Sequence, residues 1–149
     1  MSIFNQINDD IKNAMRAKEK EKLEALRAVK SAFLLAKTET GTDEIPEEKE
    51  IQIIQKLVKQ RRDSAEIYKE QNRMDLYEPE KFQADIIAKY LPEQLSEDEL
   101  KAILAEIVKE QNASGMKDMG KVMGIANAKL AGKADGKTIS TIVRGLLNS

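Results

Sequence analysis

A chain of 149 residues has room for one ordinary domain or two small ones, so a multidomain enzyme with a large cleft is not expected. It contains no histidine and no cysteine, which removes His-based triads, thiolate nucleophiles, disulfides and the usual zinc and iron-sulfur ligand sets. With 25 basic and 26 acidic residues the formal charge is -1, so indiscriminate coating of nucleic acid or anionic lipid is not expected and any such binding needs a local patch.

Ser2 is placed to cap a first helix carrying Ile3, Ile7, Ile11 and Met15 at four-residue spacing. A charged turn from Lys18 to Lys22 ends it. A second helix places Leu23, Leu26, Phe33 and Leu34 on one side and stops at the polar stretch from Thr38 to Pro46. Pro46 suits the start of a third helix that reaches about Gln71, with Ile51, Ile54, Val58, Ala65 and Tyr68. A shorter fourth helix is marked by Phe82, Ile86 and Tyr90 and is halted before Pro92. Ser96 and Glu99 form a capping-box pattern ahead of Leu100, Ile103, Leu104, Ile107 and Val108. Two further helices carry Met119, Val122, Met123, Ala126 and Leu130, then Ile139, Ile142, Val143, Leu146 and Leu147. No strand pattern or repeat is present. The reading is all-α: an N-terminal helical bundle over residues 1–92, then a small three-helix tail domain over 95–149.

The run from Ala131 to Thr138 satisfies a loose phosphate-loop pattern, but a phosphate loop is fed by a buried strand and the residues before it read as helix. It reads instead as a corner in which Gly132 supports a helix end and Asp135 caps the last helix. The start of that helix, at Gly136, Lys137 and Thr138, suits an anion such as a backbone phosphate.

From Asn112 to Ser149 six basic residues, Lys117, Lys121, Lys129, Lys133, Lys137 and Arg144, face two acidic ones, Asp118 and Asp135. Lys117 and Lys121 share a helix face, as do Lys137 and Arg144; a solvated surface accounts for the charge equally well. Gly120 and Gly124, four apart, bare one side of their helix and imply close approach, most simply by another helix and otherwise by an RNA backbone. Earlier in the chain Lys30 and Arg61 fall beside apolar stripes. An internal ion pair is the simpler account, and a second basic groove formed by Arg27, Lys30, Lys59, Arg61 and Arg62 is the functional one. The abundant carboxylates read as solubilising charge. No spacing picks out an acid-base pair or a metal site, and no cofactor is expected.

The run from Asp118 to Gly124, with Gly132 and Ala134-Asp135-Gly136 after it, resembles the tail signature of the YqeY family. Those small proteins are similar to the tail of the B subunit of glutamine-dependent aspartyl/glutamyl-tRNA amidotransferases. The segment from Tyr90 to Leu95 resembles the join between modules, and Leu26-Arg27, Lys59-Gln60-Arg61 and Arg73 with Asp75-Leu76 resemble the N-terminal part. Two departures stand out: Asn72 occupies the place of a glycine, and Tyr77-Glu78-Pro79 interrupts the acidic helix expected there. The resemblance implies an accessory tRNA-binding protein under a family label of carbon-nitrogen ligase with glutamine as amido donor. The large catalytic domain has no room here, so no chemistry of the chain's own is expected. RNA contacts are carried over to Gly120, Lys121, Gly124, Lys133 and Lys137; Gly136 joins them through the signature and the helix start, Lys117 and Arg144 on charge alone. The implied partners are tRNA and components of the amidotransferase or of aminoacyl-tRNA synthetases, with no DNA and no membrane. The other reading is a helical protein-protein adaptor in the tRNA-charging machinery. The N-terminus lacks a signal-peptide pattern and cysteine is absent, so a cytoplasmic location is expected.

Overall fold

The computed structural model describes residues 2–148. Among them seven α-helices and one single-turn 3-10 helix form, and there is no strand: α1 (Ile3–Ala17), α2 (Lys20–Thr40), α3 (Glu47–Glu70), α4 (Met74–Ala88), α5 (Glu97–Glu110), the 3-10 turn Met116–Asp118, α6 (Met119–Lys129) and α7 (Gly136–Leu147). The all-α class read from the apolar periodicity is what the chain adopts. Two compact units result, Met1–Leu91 and Pro92–Ser149.

In the first unit α1 to α4 close on Ile7, Leu26, Val29, Phe33, Ile54 and Ile87, all fully buried. Ser2 caps α1 by accepting the Asn5 N–H at 3.1 Å. The Phe4 and Phe33 rings meet edge to face at 6.1 Å, and the Lys37 ammonium lies 3.5 Å above the Phe4 ring, a cation-π contact. The inward face of α1 turns further than the four-residue line from Ile3 predicts: Ala14 is buried and Met15 is 54% exposed. A helix turns 3.6 residues at a time, so a strict spacing of four drifts off the core after three turns. Leu34, placed with Phe33 by the sequence, is one residue and so about 100° further round, and lies on the outside of α2.

Pro79 does not break α4, which runs through it. Only the bond back to the Asp75 carbonyl is forfeited, at the exposed start of the helix, where the carbonyl reaches water. Asn72 explains its own departure from glycine. It ends α3 at φ +57°, in the left-handed region that asparagine tolerates better than other non-glycine residues, and the Arg73 N–H then reaches the Tyr68 carbonyl at 2.8 Å.

The second unit packs α5, α6 and α7 around Leu100, Leu104, Ile107, Val122, Ala126, Ile139 and Val143. α5 starts in a complete capping box: Ser96 Oγ accepts the Glu99 N–H and Glu99 Oε1 accepts the Ser96 N–H, each at 3.1 Å.

Candidate nucleic-acid interface

The second unit fixes its basic residues by burying one face of each helix. On α6 Val122 and Ala126 point inward, followed by buried Leu130, so Gly120, Lys121 and Gly124 are exposed on the opposite side. Lys117 precedes them on the 3-10 turn. That turn is set by Gly115 at φ +74°, whose N–H bonds the Leu147 carbonyl at the end of α7 (3.1 Å), and by Asp118, whose Oδ2 accepts the Ser114 N–H at 2.8 Å. Burial of Ile139, Val143 and Leu147 likewise turns Lys137 and Arg144 outward on α7.

The close approach expected at Gly120 and Gly124 does not come from within the chain. A Cβ at either position would meet no atom within 4 Å. The glycines are therefore not needed for helix packing inside the unit, and both sit in ordinary helical conformation.

The corner between α6 and α7 is tied down from the start of the unit. Gln94 Nε2 donates to the Gly132 carbonyl at 2.6 Å and the Leu95 N–H to the Lys133 carbonyl at 3.0 Å, while Gly132 adopts φ +76°. The Lys133 side chain stays exposed. Asp135 stands at the cap position of α7 and its carbonyl closes the first turn with the Ile139 N–H (3.0 Å), but its carboxylate makes no capping bond, contrary to the expectation from sequence. The N–H groups of Gly136, Lys137 and Thr138 thus have no side-chain cap. With α6 feeding the corner, the strand that a nucleotide-binding phosphate loop requires is not there.

Charge is segregated within this unit. α5 carries Glu97, Asp98, Glu99, Glu106 and Glu110 against Lys101 and Lys109, whereas the 3-10 turn, α6 and α7 hold the basic excess. Glu99 is held below the ordinary carboxylate range by the Ser96 N–H it accepts, so it stays ionised on the α5 side.

In the first unit the basic residues are differently committed. Arg61 donates Nε to Gln83 Oε1 on α4 (2.9 Å) and Nη1 to the Leu57 carbonyl (3.1 Å). Its partners are therefore an amide and a carbonyl in place of the carboxylate expected. Lys59 pairs with Asp63 at 3.2 Å, Lys30 is half-buried, and Arg27 and Arg62 are exposed.

Not every carboxylate is solubilising. Glu50 is 2% exposed and its Oε2 accepts the Phe4 N–H at 2.8 Å, so an α3 side chain satisfies the start of α1. Its place in line with Ile54 and Val58, at four-residue steps, was the available signal. A cleft of about 400 Å³ opens beside Phe4, Lys37, Glu44 and Glu50. There Glu50 accepts the α1 backbone N–H and Lys37 sits over the Phe4 ring. Among the described residues no group of three or more carboxylates gathers to hold a metal ion.

The family model described as Yqey-like protein matches residues 4–147, nearly the whole chain. The chain belongs to the YqeY family. It is 44% identical over 70 residues to the E subunit of glutamyl-tRNA(Gln) amidotransferase from Thermococcus gammatolerans, a match covering 44% of this chain and 11% of that protein. For the corresponding protein of Thermococcus sibiricus the identity is 50% over 54 residues, 34% of this chain and 9% of the relative. This YqeY chain thus spans about a tenth of the length of the amidotransferase subunits it matches. It is also 28% identical over 134 residues to altered inheritance of mitochondria protein 41, mitochondrial, of Pyrenophora tritici-repentis, covering 89% of this chain and 73% of that protein. No helix among the described residues is long and apolar enough to cross a membrane.

Proposed function

We propose that this YqeY protein is an accessory tRNA-binding protein of the cytoplasm, acting beside a tRNA-dependent amidotransferase or a synthetase component and performing no chemistry itself. Binding is assigned to the tail domain, residues 95–149, through Lys117, Gly120, Lys121, Gly124, Lys133, Gly136, Lys137 and Arg144. The observation that carries the reading is the exposure of every one of these residues on the outer side of α6, the corner and α7, while the acids collect on α5. Likeness to glutamyl-tRNA(Gln) amidotransferase subunits supports the class of partner.

The test is fluorescence anisotropy of labelled tRNA with the full chain at rising salt. Log affinity is expected to fall by about 0.9 per phosphate neutralised for each log unit of salt. The double variant Lys117→Glu, Lys121→Glu should weaken binding without loss of helicity, since both side chains are exposed. Affinity for tRNA no better than for an unrelated DNA duplex rejects the proposal; unchanged affinity in the variant moves the site away from α6.

A protein adaptor is favoured by a different observation: Leu34 and Leu35 are 47% and 60% exposed on α2, and Ile67 is 52% exposed on α3. Retention of an amidotransferase or synthetase component from ribonuclease-treated lysate would support that role, and loss of all such components would remove it.

A further inference from the structure

We infer that the second unit grips the sugar-phosphate backbone of an RNA double helix and does not read unpaired bases. This rests on the tRNA-binding proposal and narrows it to one kind of RNA surface.

The first ground is the distribution of side chains that could hold a base. All six aromatic residues, Phe4, Phe33, Tyr68, Tyr77, Phe82 and Tyr90, lie in the first unit, and from Pro92 to Ser149 there is none. Unpaired bases are captured by stacking on aromatic rings or on flat guanidinium groups. The second unit has one guanidinium, Arg144, and so has no platform on which successive bases could lie.

Charge is the second ground. The remaining cations on the outer faces of α6, the corner and α7 are lysines, whose ammonium is a point charge on a long flexible stem. Such groups neutralise phosphates without fixing the plane or edge of a base. Lys117 and Lys121 are carried by the 3-10 turn and α6, and Lys137 and Arg144 lie seven residues apart along α7, so the cations are spread over successive elements and exposed on each. Cations spread in this way suit a series of phosphates along a duplex better than a single base. The exposed acids of α5 repel a polyanion from that helix and favour its approach to α6 and α7.

The test uses the full chain with labelled tRNA bound, competed by a blunt RNA stem with a short closing loop and by unpaired polyuridine of the same nucleotide count. The stem should displace the tRNA at least about tenfold more effectively, with a salt dependence set by phosphate contacts alone. Lys137→Glu with Arg144→Glu should abolish that preference by weakening stem binding. Phe82→Ala, which removes a partly exposed aromatic ring of the first unit, should leave both competitors unchanged. Polyuridine competing as well as the stem, or a loss of affinity in Phe82→Ala, overturns the inference while leaving tRNA binding intact. Failure to bind tRNA at the outset is a separate result, and it removes the tRNA proposal together with this one.

Discussion

Glu50 shows how one side chain can join two helices. Its carboxylate is almost wholly buried and takes the Phe4 N–H, whose helical partner does not exist at the start of α1. Removing it with Glu50→Ala leaves that half-buried donor without its partner, and should cost about 1 kcal/mol of stability. Glu50→Gln keeps an acceptor oxygen in place and should recover most of the loss. Urea unfolding of the two variants checks this; equal midpoints would mean that the hydrogen bond contributes nothing. Tyr90 makes a second connection of this kind, donating its hydroxyl to Asp10. Burial first, and then that bond, push the phenol well above its ordinary value of 10.0. The sign follows directly: a raised folded-state value gives stability that is complete below about pH 10 and drains away as the pH climbs through the range where the unfolded chain ionises. Unfolding midpoints should therefore fall more steeply above pH 10 in the parent than in Tyr90→Phe, and parallel curves would show that the phenol is not linked to folding.

At the scale of the element, α6 is the least well furnished helix for its own sake. Gly124 lies in its interior, where glycine is about 0.5–1 kcal/mol less favourable than alanine, and a Cβ there meets open space. Gly124→Ala should stabilise the protein by about that amount in a thermal melt, and a lowered melting point would reveal a steric demand inside the chain. The ends of the helices were the most legible features in the sequence. Ser96 with Glu99, Pro46 before α3 and Pro92 after α4 each act through chemistry confined to a few neighbouring residues, and each stands where the pattern put it. Side-chain direction was harder to read, because Met15 and Leu34 fit an apolar line as well as Ala14 and Val29 do and only the packed partner decides between them. Asp135 illustrates the same limit: the cap position was visible, but not the carboxylate's failure to bond.

Across the whole chain, composition was enough to predict an all-helical protein and to discount histidine and cysteine chemistry, since both follow from counts and periods alone. The candidate interface was legible as a list of residues. Their common outward placement was not, because it depends on which faces of α6 and α7 meet the core. The partners of Glu50 and Tyr90 escaped for a related reason: they lie 46 and 80 residues away, so a local pattern can show that Glu50 is buried but not what it bonds.

The Asp10–Tyr90 bond also bears on the order in which the protein is made. It ties the first helix to residues just after the fourth, so the first unit cannot be sealed until about ninety residues have left the ribosome. Until then α1 has its inner face open and its neighbours incomplete. The second unit follows directly in the chain, from Pro92, and emerges after the first. Completion of the first unit and emergence of α6 and α7 are thus successive events along a nascent chain.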